Sequence, residues 1–141
     1  SPQGIVKGVD CSEVSVTTAR RVNRSAIADG RCAVWQGSVD ELIFAADWFD
    51  AVTAFETVYF WPDLQKSFRE IRRVLRPGGT LLICNECSGD TPGDEAWTKK
   101  IAGMRIYSAD QLQQQLEQAG FCKLQIHKTP RWLCLTAQKP D

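Results

Sequence analysis

Residues Arg73 to Glu86 read RVLRPGGTLLICNE, and this joint constrains the fold more than any other stretch. A helix closes on basic residues, Pro77-Gly78-Gly79 stops it, and an apolar strand follows at once. Upstream, Leu64, Phe68, Ile71, Val74 and Leu75 fall on one helical face behind Asp63. Arg72, Arg73 and Arg76 then sit at the end that suits the helix dipole. Before that helix, FDAVTAF (Phe49 to Phe55) is nearly all apolar, as a strand covered on both faces requires.

The same alternation runs through the chain. GIVKGVD (Gly4 to Asp10) reads as a strand ending in an acid. Ser12 is placed to cap a helix carrying Val16, Ala19, Val22 and Ala26, and RCAVWQG (Arg31 to Gly37) is a second strand. Residues Ser88 to Tyr107 are polar and glycine-rich, with one short helix expected near Glu95 to Ala102. Ser108 and Gln111 form a capping-box pair ahead of Leu112, Leu116 and Ala119, and Gly120-Phe121 resembles a Schellman close. CKLQIH and WLCLTAQK, parted by Thr129-Pro130-Arg131, should make an antiparallel hairpin at one sheet edge. Strand and helix in alternation predict one α/β domain over 1–141: a mostly parallel sheet with helices on both faces.

Composition excludes several functions. Lysine plus arginine equals aspartate plus glutamate, at 17 each, so no net field gathers nucleic acid or an anionic membrane. No apolar run approaches the roughly 18 residues of a membrane span. The opening SPQGIVKGVD lacks the basic and apolar regions of a signal peptide. Cysteines at 11, 32, 84, 87, 122 and 134 lie mostly in strand-like runs, which predicts reduced core thiols and a cytoplasmic protein. Cys84-x-x-Cys87 has metal-like spacing but no second pair to complete four ligands, so no metal is expected.

GVDCSE, WQGSVDELIF, FDAVTAFETVYFWPD, LRPGGTLLI and the terminal helix with its hairpin occur in one order. That ordered set resembles the class I S-adenosylmethionine-dependent methyltransferase family, small-molecule branch, from about Ile5 to Lys139. The resemblance implies a Rossmann-like fold, S-adenosylmethionine as cofactor and a small-molecule methyl acceptor. The family opens with a strand and a glycine-rich D-x-G-x-G-x-G turn, which this sequence does not contain. The domain is therefore expected to be incomplete at its N-terminus and weak or inactive alone. Its unpaired central strand is expected to drive homodimerisation by strand or segment exchange. The alternative is a non-catalytic, self-associating α/β module derived from a methyltransferase.

Matched position by position, Asp10, with Cys11 beside it, would accept hydrogen bonds from the ribose hydroxyls, which suits an acceptor-only carboxylate. Ser38 and Val39 fall where the family holds adenine, with a serine hydroxyl in place of the usual acid. Phe55 and Glu56 end the third strand, where cofactor methyl and acceptor meet. Glu56 is the candidate catalytic group, orienting the acceptor or taking its proton. The aromatic run Val58 to Asp63 either lines a pocket or anchors the next helix. Ser88 to Tyr107 is a candidate lid, with Trp97 and Met104 as its apolar contacts.

Overall fold

The structure, a computed structural model, describes residues 3–141. β1 (Val6–Asp10) leads into α1 (Glu13–Val22) and the short α2 (Arg24–Ala28). β2 (Cys32–Gln36) then returns to pair in parallel with β1, Val6 opposite Cys32 and Asp10 opposite Gln36. Next come β3 (Phe49–Phe55), a 3-10 turn (Val58–Phe60), α3 (Leu64–Val74) and β4 (Leu75–Asn85). α4 (Asp94–Lys100), α5 (Ala109–Gln118), β5 (Cys122–Lys128) and β6 (Leu133–Gln138) complete the chain.

Two sheets result. β1 and β2 form one, and β3-β4-β6-β5 form the other, with β3 parallel to β4 and both β6 pairings antiparallel. The hairpin expected at the C-terminus is present at one edge. The sheet is nonetheless mixed rather than mostly parallel, because the β5–β6 hairpin seats its second strand, β6, against β4 and so adds two antiparallel ladders.

Helical cover also differs from expectation. α3 and α5 bury Leu81, Ile83, Leu133 and Leu135 on one face of the four-stranded sheet. On its other face Thr53 is exposed, and Leu82, Cys84 and Cys134 stay half-buried. α1 and α2 pack on β1 and β2 instead. No helix among the described residues is long and apolar enough to cross a membrane.

Local signals explain the helix ends. Ser12 Oγ accepts the Ser15 N–H at 3.3 Å and Asp63 Oδ1 accepts that of Lys66 at 2.9 Å. Ser108 and Gln111 complete their reciprocal box. The predicted first-helix stripe fails in part. Asn23 breaks the helix, and Val22 is 71% exposed while Val16 is buried.

The Pro-Gly-Gly joint does not separate helix from strand. It is the bulged start of β4: Phe49 pairs with Leu75 and Ala51 with Thr80, so Arg76 to Gly79 loop out between them. Gly78 N–H donates to Lys139 O, and Lys139 N–H to Gly79 O, which ties the bulge to the chain's end. A β-carbon at Gly79 would sit 2.8 Å from Arg76 O and 3.2 Å from Phe49 O. Gly79→Ala is expected to lose about 1–3 kcal/mol in urea unfolding; an unchanged midpoint would count against this close approach. The nearby arginines also do more than end a helix. Arg73 donates to Phe44 O and Leu42 O, Arg72 to Gly120 O, and Arg76 pairs with Asp50.

Sheet edges are treated unequally. Arg20 donates twice to Val34 O on β2, at 3.0 and 2.7 Å. β5 carries a bulge and Lys123 at φ 49°. Both devices blunt outer edges. Among the described residues, β1 pairs only with β2 and β3 only with β4, and their remaining edges border one cleft.

Candidate active site

The cleft encloses about 910 Å³ between the two sheets. It lies at and below the carboxyl ends of β1, β2 and β3, where open α/β sheets bind ligands. Val6, Val9, Phe49, Val52 and Ile71 give it apolar walls. Asp10, Cys11, Ser12, Ser15, Ser38 and Glu56 give it polar ones.

Asp10 is the last residue of β1. Its Oδ1 accepts the Ser12 N–H at 2.8 Å, and its backbone oxygen accepts the Gly37 N–H at 3.0 Å. One carboxylate oxygen thus shapes the turn into α1, while the second has no protein partner among the described residues. Cys11 is exposed on the same wall, and its carbonyl is held by Gln36 Nε2 at 3.1 Å.

Ser38 lines the cleft, but its hydroxyl proton is donated to Asp40 Oδ1. Only its lone pairs remain for a ligand. That hydrogen bond is the first cause holding Asp40 below the ordinary carboxylate range; burial opposes it and Lys66, at 3.4 Å, assists. Val39 is half-buried, packs on the main core and forms part of the wall.

Phe55 is not among the wall residues. It is 56% exposed and pairs with Cys84 on the sheet face opposite Ala54. Side-chain alternation turns it away from the neighbours chosen by its place in the sequence. Glu56, one residue on, does line the cleft. Its φ of 56° lies in the left-handed region, uncommon for a residue with a β-carbon. Its Oε1 accepts the Glu86 N–H and lies 3.3 Å from the Tyr59 hydroxyl.

The aromatic run serves both roles foreseen for it. Phe60, Trp61 and Pro62 join the wall, while the Trp61 ring meets Phe68 of α3 edge-on at 5.7 Å. No residue of Ser88 to Tyr107 lines the cleft, so the candidate lid lies elsewhere in this structure. Cys87 belongs to that side, its thiol pushed up first by burial and then by Asp94. Burial, then the hydrogen bond with Cys134 across the strand pair, push Cys84 up to about 11. Ser12, which the sequence offered only as a cap, is a wall residue, as are Ser15 and Thr57, which carried no sequence signal.

The donor set suits a nucleoside bearing a positive group. Asp10 has a free acceptor oxygen for hydroxyls, apolar side chains offer a surface to a flat base, and carboxylates stand on two sides of the cleft.

These features define an α/β domain with a cleft at its strand tips. The methyltransferase domain family model matches residues 2–83, more than half of the sequence. The chain belongs to the class I S-adenosylmethionine-dependent methyltransferase family. Cycloartenol-C-24-methyltransferase of Arabidopsis thaliana is 32% identical over 100 residues, covering 70% of this chain and 30% of that protein. The curated relatives it matches are longer: this chain spans between 21% and 47% of their lengths.

Among solved structures, one from Haloferax volcanii, solved as a complex with the Trm112 methyltransferase activator, matches with a TM-score of 0.83 at 20% identity. The match covers 98% of this chain and 73% of that one. The Haemonchus contortus phosphoethanolamine N-methyltransferase 2, solved with phosphomonomethylethanolamine and S-adenosylhomocysteine, gives 0.83 at 18%, covering 98% and 44%. At such identities the likeness is one of fold.

Proposed function

We propose that the cleft binds S-adenosylmethionine and serves methyl transfer to a small-molecule acceptor. The observation that carries this reading is the convergence of Asp10, Ser38, Val39 and Glu56 on one cleft at the strand tips. The cofactor, when bound, supplies a methyl group already activated on a sulfonium, so the protein's task is chiefly positioning. The free Asp10 oxygen would take the ribose hydroxyls, and Cys11 would border them. The lone pairs of Ser38 and the side chain of Val39 would meet adenine. Glu56 would orient the acceptor or accept its proton. Phe55 is left without a role at the cofactor. The Arabidopsis relative is named for cycloartenol and the Haemonchus structure for phosphoethanolamine; the acceptor here is proposed only as a small molecule.

Binding by residues 1–141 alone is proposed to be weak. Among the described residues the β1 and β3 edges beside the cleft are unpaired, and a wall that must be ordered on binding lowers affinity. Isothermal calorimetry with S-adenosylhomocysteine tests both statements. Saturable binding weaker than about 10 μM is the expected result. Absence of saturable heat at millimolar ligand would sink the cofactor reading, and micromolar or tighter binding would sink the weakness.

The same edges favour a second reading, a self-associating module without catalysis. Ile5, Val6 and Phe55 are 64%, 63% and 56% exposed, and unpaired strands recruit other strands. A homodimer formed by strand or segment exchange would place those edges out of water. Light scattering tests the association: a monomer at tens of micromolar would exclude the dimer.

A further inference from the structure

Glu56 is held from behind by a residue that never reaches the cleft. Tyr59, in the 3-10 turn after β3, is 2% exposed and is not among the wall residues. Its hydroxyl oxygen accepts the Cys87 N–H at 2.8 Å. Its single proton has two acceptors at 3.3 Å, Glu56 Oε1 and the Cys87 carbonyl. Burial, the foremost cause, pushes the phenol well above its ordinary value, so it remains a donor at neutral pH. A carboxylate oxygen is the stronger acceptor of the two, which favours Glu56 Oε1 as the acceptor of the Tyr59 hydroxyl.

Glu56, although exposed, is held at its N–H and at one carboxylate oxygen. Its N–H donates to Cys84 O, and its Oε1 receives both the Glu86 N–H and the Tyr59 hydroxyl. Its Oε2 has no partner among the described residues, on a side chain that lines the cleft. The backbone that presents it sits at φ 56°. A left-handed conformation at a residue with a β-carbon is strained and persists only where the surroundings impose it. A free, solvated carboxylate would need none of this.

We infer that Tyr59 is a positioning residue of the site: by engaging Oε1 of Glu56 from behind the wall, it leaves Oε2 as the acceptor offered to whatever occupies the cleft. The inference rests on Glu56 as the acceptor-side group of the proposed function, and it goes beyond that reading by assigning what sets the carboxylate's orientation. Tyr59 also touches the next segment, since its backbone oxygen accepts the Arg105 N–H at 2.9 Å and its hydroxyl holds Cys87. A purely structural Tyr59 would explain those two contacts and would leave Glu56 indifferent to it.

The chain has two tyrosines, Tyr59 and Tyr107, so replacing both with 3-fluorotyrosine gives two fluorine NMR signals, assigned with Tyr107→Phe. Glu56→Gln, which keeps shape and removes charge, is expected to move the Tyr59 signal and leave that of Tyr107 in place. Tyr59→Phe is expected to speed hydrogen exchange at the Glu86 amide about tenfold, as loss of one hydrogen bond's worth of restraint predicts. If Tyr59→Phe does not fold, the fluorine measurement decides alone. An unmoved Tyr59 signal in Glu56→Gln overturns the inference. So does an unchanged Glu86 amide in a folded Tyr59→Phe, because that amide is held by the Glu56 oxygen that Tyr59 engages. Neither result touches the cofactor reading, which stands or falls on S-adenosylhomocysteine binding by the unsubstituted protein.

Discussion

Phe68→Ala is expected to lower the stability of the domain by about 3–5 kcal/mol, measured by urea unfolding. Phe68 is 0% exposed in the middle of α3, within the cluster that includes Ile71, Leu81, Ile83, Leu112 and Leu116. Trp61 abuts it edge-on at 5.7 Å and 74°. Truncation removes both the transfer free energy of the ring and the contacts of the residues left lining the hole. Against a total stability of about 5–15 kcal/mol, that is enough to leave the variant marginal, with a fall of about 10–20 °C in Tm. Trp61, itself a wall residue, would lose its buried neighbour, so ligand affinity should fall together with stability. Phe60→Ala is the control. At 47% exposure Phe60 rims the cleft, and its loss should cost less than about 1 kcal/mol. Equal losses in the two variants would contradict the placement of the core.

Asp10→Asn is expected to weaken S-adenosylhomocysteine binding about 10–100-fold while leaving stability within about 0.5 kcal/mol. Oδ1 of Asp10 accepts the Ser12 N–H at 2.8 Å, a duty that an asparagine carbonyl can perform. Its second oxygen has no protein partner among the described residues, and that is the atom an asparagine replaces with a donor. Two ribose hydroxyls facing an NH2 group lose a charge-assisted acceptor. Asp10→Ala should show the same loss of binding plus about 1 kcal/mol of stability, because the Ser12 N–H is then left without its acceptor. Ligand-observed NMR titration reads the affinity even when it is weak. Wild-type affinity in Asp10→Asn would assign Asp10 to the turn alone.

Much of the chain is legible from residues close in sequence. Asp63, Ser108 with Gln111, and the terminal hairpin behave as their local patterns require. Asp10, Ser38, Val39 and Glu56 do meet at one cleft, because each ends or follows a strand pointing the same way. Other features had no local signal. The Ser38 hydroxyl is committed to Asp40, and Asp40 is reached by Lys66 from α3. Arg73 closes the loop at Leu42 and Phe44 rather than merely ending a helix. Phe55 points away from the cleft although both neighbours in the sequence, Ala54 and Glu56, border it.

By itself, then, the sequence determined the order and kind of the elements, their caps, and the family. Hydrophobic period, capping hydrogen bonds and turn glycines act over three or four residues and need no knowledge of the rest. Tertiary structure alone decided that the sheet is mixed and split beside the cleft, that only one face of the larger sheet is well covered, and which way each strand-end side chain turns. Those properties depend on register between strands far apart in sequence, where a shift of one residue exchanges the faces. Tyr59 behind Glu56 is a product of that register.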